Sequence, residues 1–278
     1  MSDPFKIDGP TCISFSGGRT SAYMLWRVLQ SNGGLPDECV VAFGNTGKEE
    51  EATLQFIKDC ETNWGIKVHW IEREFDDIGF KEVTFETASR NGEPFEALIR
   101  KRNYLPNPVA RICTSELKIR AQSKFLASIG IFEGLKYSAI ENLSWVGIRR
   151  DEERRAAKIA DKSRVPLWTA MVTKETVGDF WRLQPFDLGL PNNNGVTMHG
   201  NCDLCFLKPG AQVMALIAEK PERAIWWARM EALALASKPS GAVFRSDRPS
   251  YSQMLKFSQE QRDMFDSQEE AIACFCGD

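Results

Sequence analysis

Eight cysteines and two histidines set the chemistry open to this 278-residue chain. Cys202-Asp203-Leu204-Cys205 follows Gly200-Asn201, and a CxxC at a turn lets both sulfurs face one point. Such a pair serves as half of a metal site, as a redox couple, or as packing. Two thiolates do not close a metal site. The other candidates are Cys113, in "RICTSELK", and Cys274 and Cys276, in "ACFCGD". Four thiolates would satisfy an iron–sulfur cluster or a tetrahedral zinc, which His199 could join. With only His69 and His199 in the chain, a His-rich metal site is excluded. Cys12, Cys39 and Cys60 sit beside apolar residues and read as small core hydrophobes. In a reducing compartment the eight do not form a disulfide framework.

A second set of residues has the chemistry of anion binding. In "CISFSGGRTSAYML" an apolar run ends in Ser16-Gly17-Gly18-Arg19-Thr20-Ser21, and a helical pattern follows. Two glycines let backbone N–H groups converge at a helix N-terminus, where the dipole favours negative charge. Ser16, Arg19 and Ser21 add donors. The same turn could serve tight packing alone, and the GxxxxGK[ST] spacing of a Walker loop is absent. Asn45-Thr46-Gly47 forms a small polar turn after a second apolar run. "GIRRDEERR", residues 147–155, holds four arginines and three carboxylates. The guanidinium forks of Arg149 and Arg150 suit phosphate and sulfate oxygens.

These residues need elements to position them. Apolar runs predict strands at 11–16, 38–43 and 66–72, and periodicity predicts helices at 20–31 and 48–63. That alternation implies a doubly wound, mostly parallel α/β sheet. Ligands of such sheets sit beyond the carboxyl ends of the strands, which is where the Ser16 and Asn45 turns fall. Residues 76–110 read as irregular and mobile. A helix over 115–130 stops at Gly130. The stretch "YSAIENLSWV" reads as a strand that delivers 147–155 to the same edge. A capped helix spans 173–183, and the chain from 211 onward is helical, with Trp226 and Trp227 in its core and an unpatterned tail. Lys101, Arg102 and Arg111 read as a solvated face.

The net charge of −3, with 43% hydrophobic and 26% charged residues, is that of an ordinary globular protein. It argues against a protein that coats nucleic acid nonspecifically. No apolar stretch approaches the roughly 20 residues that span a bilayer. The opening "MSDPFKIDGP" has no basic flank followed by an apolar core, so a cytoplasmic location and no membrane partner are expected.

The motifs, in their order, resemble the PAPS reductase family. SGGRTS is similar to the PP-loop of the adenine-nucleotide α-hydrolase-like superfamily, and NTGKE, RICTSELKI, GIRRDEERR, PLW…DFW and NCDLC keep it company. The resemblance covers roughly residues 11–210, as a nucleotide-binding domain, with 211–278 a helical extension. It implies a Rossmann-like fold with an adenine nucleotide over the strand ends. The loop Ser16, Gly17, Gly18, Arg19, Thr20 and Ser21 would hold phosphate or sulfate. Asn45, Thr46 and Gly47 would lie near the adenosine, and Arg149 and Arg150 would clamp the anion.

The resemblance also implies a metal centre. The [4Fe–4S] forms of APS reductase carry a cysteine pair where this chain has Ile112-Cys113, and a later CxxC. Cys113, Cys202 and Cys205 match three of four ligands. Cys274 is taken as the fourth, with Cys276, a water, a substrate or a sulfide as alternatives, and zinc as the rival metal. Reductases of this family end in a mobile Cys-Gly tail, and Cys276 resembles that nucleophile, cleared by a thioredoxin-like reductant. The resemblance leaves a second chemistry open, an ATP pyrophosphatase using Mg²⁺ to adenylate a tRNA or DNA acceptor for thiolation. A third is a non-catalytic nucleotide-binding accessory protein. A homo-oligomer is expected.

Overall fold

A computed structural model describes residues 3–159, 161–193, 196–237 and 243–266. Three strands and two helices form its first half: β1 (Thr11–Ser14), α1 (Arg19–Asn32), β2 (Cys39–Gly44), α2 (Glu51–Trp64) and β3 (Val68–Arg73). Each predicted element is present, with ends shifted by up to three residues. The next stretch departs from expectation. Residues 76–110 contain β4 (Phe80–Val83), which pairs antiparallel with β3, and α3 (Glu93–Arg102). Pro94 in the first turn of α3, acids at its start and bases at its end are ordinary helix signals.

The predicted helix at 115–130 begins earlier and ends sooner. It opens as a π-helix over Cys113–Arg120, continues as α4 (Ala121–Ala127), and is capped at Ser128. Gly130 starts a separate 3₁₀ turn. The strand expected across "YSAIENLSWV" is a correction. Its first half is α5 (Tyr137–Asn142), with Ile140 buried under the sheet, and only β5 (Ser144–Val146) is extended. Short helices α6 (Glu153–Ala156) and α7 (Pro166–Thr169) follow. The capped helix is α8 (Lys174–Arg182), closed by reciprocal Thr173 and Thr176 bonds. The two-residue strands β6 (Asn192–Asn193) and β7 (Val196–Thr197) precede α9 (Gly210–Glu219), α10 (Arg223–Ser237) and α11 (Tyr251–Asp266).

The five-stranded sheet has the order β4-β3-β2-β1-β5, with β1, β2, β3 and β5 parallel. Side chains alternate across it. Ile13, Val41, Phe43 and Trp70 pack with α1, α2 and α8 on one face. Cys12, Val40, Ala42 and Ile71 pack with α4 and α5 on the other. The chain is therefore α/β with both sheet faces covered. Strand order reverses at β1, so the loops after β1 and β5 lie at the switch point where ligands of such sheets bind.

A second core holds the helical part. Phe95 and Leu98 of α3, Leu117 of the π-helix, and Leu204 and Phe206 pack with Val213, Trp227, Phe244 and Tyr251. The helices after 210 thus share one core with α3 and the CxxC turn. Trp226 and Trp227 are buried there, as expected.

Candidate functional site

Three loops meet at the carboxyl edge of the parallel strands. The first is the Ser16–Ser21 turn. Gly17 has φ +71°, and a Cβ there would lie 2.6 Å from Thr53 Cγ2 and 2.9 Å from Ile57 Cδ1 of α2. Only glycine lets this turn press against α2. Gly18 then starts α1 with no side chain capping it. The Ser16 and Ser21 hydroxyls are 2.9 Å apart, Ser21 accepts from the Ser16 N–H, and it lies 3.0 Å from the Gly18 carbonyl. The loop is thus fastened by its own serines. Arg19 points elsewhere: its Nε donates to Asp187 at 2.6 Å, its Nη2 pairs with the same carboxylate, and Nη1 reaches Thr197 at 3.3 Å. Arg19 ties α1 to the 187–197 segment.

The second loop follows β5. Gly147 packs so closely that a Cβ would lie 3.0 Å from Ser21 Cα. This brings Arg149 onto α1, where Nη1 donates to Thr20 Oγ1 at 2.9 Å. Arg149 also grips Asp151 with two bonds of 2.9–3.0 Å. The guanidinium beside it holds the Asp151 carboxyl below its usual range. Arg150 is not beside it. It lies 4.1 Å over the Trp168 ring, with its N–H bonded to the Val172 carbonyl. The sequence pair is split between one residue at the loop and one in packing.

The third loop follows β2, and its residues are buried. Asn45 donates to Glu72 at 2.6 Å and to the Ser89 carbonyl, and accepts from Gly47 N–H at 3.1 Å. Gly47 in turn accepts from the Gly92 N–H at the start of α3. Asn45 and Gly47 therefore act as a joint between strands and α3. Thr46 bonds to the Glu49 carboxylate and lies 3.6 Å from Cys202 Sγ.

That last contact leads to the thiols. Cys113, Cys202 and Cys205 line one cavity of about 580 Å³, together with Thr46, Lys118 and Arg155. Arg111 and Lys208 bring the cationic side chains on its wall to four, of which Lys118 stands 3.5 Å from Glu49 and Arg155 pairs with Glu152. The π-helix sets Cys113 and Lys118 on this wall. Such helices are rare and recur at functional sites. Burial raises the Cys113 thiol pKa, and the neighbouring Cys205 adds to it. Burial, with Glu49 beside it, raises Cys202 as well. Burial opposes the charge of Lys118, but Glu49 at 3.5 Å and the three thiols outweigh it, so its pKa stands above the usual lysine value. Burial lowers the Lys208 pKa against the pull of Cys205 and Cys202.

The other three cysteines are structural, as expected. Burial pushes the thiols of Cys12 and Cys39 up to about 12, and Cys60 is raised as well. Cys274 and Cys276 lie outside the described residues. Among the described residues, no group of three or more Cys, His, Asp or Glu is arranged to hold a metal ion. His199 bonds to Glu219 at 2.8 Å. The Ile112 side chain packs against the helical core.

Sequence reasoning placed the three thiols but passed over Lys118, Lys208 and Arg155. Lys118 lay within RICTSELKI and Arg155 within GIRRDEERR, so the motifs contained them. Lys208 had only its position three residues past the CxxC as a signal. Arg111, read as solvated, is exposed yet stands on the cavity wall.

The fold and site define a mostly parallel α/β protein with a thiol-lined cavity beside the strand ends. The chain is similar to the uncharacterized nin region protein ORF290 of Escherichia phage lambda. The two are 28% identical over 218 residues, which span 76% of this chain and 70% of that protein. No protein-family model and no solved structure matches the chain. No helix among the described residues is long and apolar enough to cross a membrane.

Proposed function

We propose that this chain is an adenine-nucleotide-dependent enzyme of sulfur chemistry, akin to the PAPS reductase family, with an adenine-nucleotide α-hydrolase-like fold. Its reaction is thiol-dependent reduction of a sulfonucleotide. One observation carries the reading. Three cysteines from two distant segments line one cavity whose other charged wall groups, among the described residues, are cationic, two of them paired with carboxylates. Such walls favour an anionic group held next to sulfur. The sheet order and the glycine turn at its switch point support a nucleotide at that edge.

The order of the motifs, with Cys113 ahead of the CxxC, favours an iron–sulfur cluster over zinc. Cys113, Cys202 and Cys205 would hold it, with Cys274 as the fourth ligand. Bound there, a cluster would supply redox-active iron and a covalent tie between the π-helix and the CxxC turn. Lys118 and Arg155 orient the sulfate or phosphate. In the reductase reading the Cys276 thiolate attacks the sulfur of the bound nucleotide. The bond from sulfur to the phosphate oxygen breaks, and the nucleoside phosphate leaves. A dithiol reductant of the thioredoxin kind then releases sulfite and becomes a disulfide. α11 begins beside the CxxC turn, where Tyr251 donates to the Leu204 carbonyl.

One observation favours a second reading, an ATP pyrophosphatase that adenylates an acceptor with Mg²⁺. The two glycines open α1 with no side chain at its cap, as a pyrophosphate site would require. A single assay separates them. The chain, purified without oxygen, is given APS, PAPS or ATP in turn with a dithiol. Sulfite release dependent on Cys276 supports reduction. Pyrophosphate release from ATP with no sulfite overturns it in favour of adenylation.

A further inference from the structure

Charge is unevenly placed along this chain. Residues 100–124 hold seven lysines and arginines against one carboxylate, Glu116, a net +6 in a chain whose total is −3. The other 253 residues therefore carry −9. The fold gathers most of these cations on one surface. Arg100, Lys101 and Arg102 are exposed and fan across the last turn of α3 in steps of about 100°. Arg100 faces α10, where it shares the Glu96 carboxylate with Arg229. Arg102 faces the π-helix, where it pairs with Glu116 beside Arg120 at 3.4 Å and Arg73 at 3.7 Å. Arg111, just before the π-helix, is exposed and stands on the wall of the thiol cavity. A strip of cations thus runs from α10 over α3 to the π-helix and, through Arg111, to the cavity.

Two features set the strip apart from an ordinary solvated face. Its carboxylates are outnumbered, since five arginines share Glu96 and Glu116. Arg100, Arg102, Arg120 and Arg229 remain 48–59% exposed, so each keeps N–H groups for another acceptor. Lys101 and Arg111 have no side-chain partner among the described residues. The second feature is repulsion. Burial lowers the Arg73 pKa, and Arg120 beside it lowers it further against the pull of Glu116. An anion lying on the strip relieves that repulsion.

Arginine forks match phosphate oxygens, and a row of them matches the repeated charge of a phosphodiester backbone. The −9 on the rest of the chain repels such a backbone and leaves this face for docking. An acidic protein would ask for an apolar centre inside its rim of charge. Between residues 100 and 124 the exposed large apolar side chains, among the described residues, are Val109 and Ile119, on separate segments.

We propose that Arg100, Lys101, Arg102, Arg111 and Arg120 form a docking strip for the phosphate backbone of a nucleic-acid strand and lead that strand to the thiol cavity. The strip goes beyond the reaction proposed above and needs neither a cluster nor turnover.

The test mixes the full chain with a fluorescein-labelled oligothymidylate, without adenine nucleotide or reductant, and follows anisotropy as salt is raised. Five phosphate contacts predict a slope of log affinity against log salt of about −3.5, or roughly tenfold weaker binding per doubling of salt. Lys101→Glu with Arg111→Glu should weaken binding about tenfold or more and flatten the slope by about 1.5. Lys174→Glu with Arg182→Glu, on α8 at the other sheet face, changes net charge equally and should move affinity less than about threefold. Hydrogen exchange at the Thr114 amide, which donates to the Arg111 carbonyl at 3.0 Å, should slow when the oligonucleotide binds. No binding at low salt, or equal losses from the two variant pairs, overturns the proposal. So does polyglutamate that displaces the probe as well as unlabelled oligonucleotide does, which would assign the strip to an acidic protein. Unchanged exchange at Thr114 overturns the path to the cavity. If the Lys101–Arg111 variant does not fold, Arg100→Gln, which leaves Glu96 its other arginine, must flatten the slope by about 0.7, and a wild-type slope overturns the proposal. Salt-dependent binding by a chain that turns over none of APS, PAPS and ATP sinks the reaction and upholds the strip.

Discussion

The Ser16–Ser21 loop and the thiol cavity lie at one edge of one sheet, yet they are built by opposite means. The loop's own fastening is local. Two serines five residues apart close it and a glycine fits it against α2, while Arg19 within it and Arg149 of the loop after β5 pair with carboxylates near the surface. The cavity is non-local. Its thiols come from a π-helix and from a turn some ninety residues later. They are fixed by buried ionic groups and by helices of the last third. A local site tolerates change in the rest of the molecule. A non-local one fails when any of its distant supports is removed.

The sharpest test of that contrast is the buried pair Lys48–Asp203, about nine-tenths covered on both sides. Lys48→Met leaves a buried carboxylate without its cation, and such a loss costs about 3–5 kcal/mol. Urea unfolding should show the drop, and cavity thiols should become reactive to a maleimide. A loss under 1 kcal/mol would mean that the cavity is not held from a distance. Next in size is Gly17→Ala. A positive φ costs about 1–3 kcal/mol for a residue with a side chain. The 2.6 Å approach to Thr53 Cγ2 adds overpacking. Thr53→Ser removes that methyl and should recover part of the loss in the double mutant. No recovery would place the cost in the backbone alone.

The same contrast decides what the sequence could reveal. The turn after β1, the helices around it and the alternating strands follow from neighbours in the chain, and they were legible to within a few residues. So was Thr173, whose cap depends on Thr176. The helix over Tyr137–Asn142 was missed because "YSAIENLSWV" is too short and apolar for periodicity to separate helix from strand. The antiparallel β4 was missed because its pattern is weak and its partner, β3, decides it. The cysteines were legible as types, but only the fold gathers three of them. Arg149 and Arg150 were read as a pair. One residue's step turns the second toward Trp168, and nothing in the sequence fixes which way.

Titration should separate the two regions by sign. Glu231 accepts from the N–H groups of Tyr251 and Phe244 behind the cavity, and burial raises its pKa to about 6 from the usual 4.5. The native state then binds a proton that the unfolded chain has lost, so stability falls as pH rises from about 4.5 to 6. The change is about 2 kcal/mol. Urea midpoints for wild type and Glu231→Gln should diverge across that window and run parallel above it. Parallel curves throughout would show that the carboxyl is not perturbed. At the loop, Asp151 and Asp187 have lowered pKa values. They contribute stability above the usual aspartate value that is lost as pH falls below it, the reverse of Glu231.

The smallest effect on stability is expected at Arg149, and it carries the most about function. Its partner Asp151 is one-third exposed, and the pair contributes about 1 kcal/mol or less. Arg149→Met should therefore leave the melting temperature almost unmoved. Binding is another matter. A charge-assisted bond to an anion is worth about 1.5–3 kcal/mol, so adenine nucleotide affinity should fall roughly ten- to a hundredfold by isothermal titration. If affinity holds while Lys118→Met and Arg155→Met weaken it, the anion is gripped from the cavity wall, and the loop serves only to pack α1 against the sheet. If Arg149→Met and Lys118→Met each weaken it, and the double mutant loses the sum, one nucleotide spans both regions. The local loop then holds its phosphate end and the non-local cavity the end where sulfur reacts.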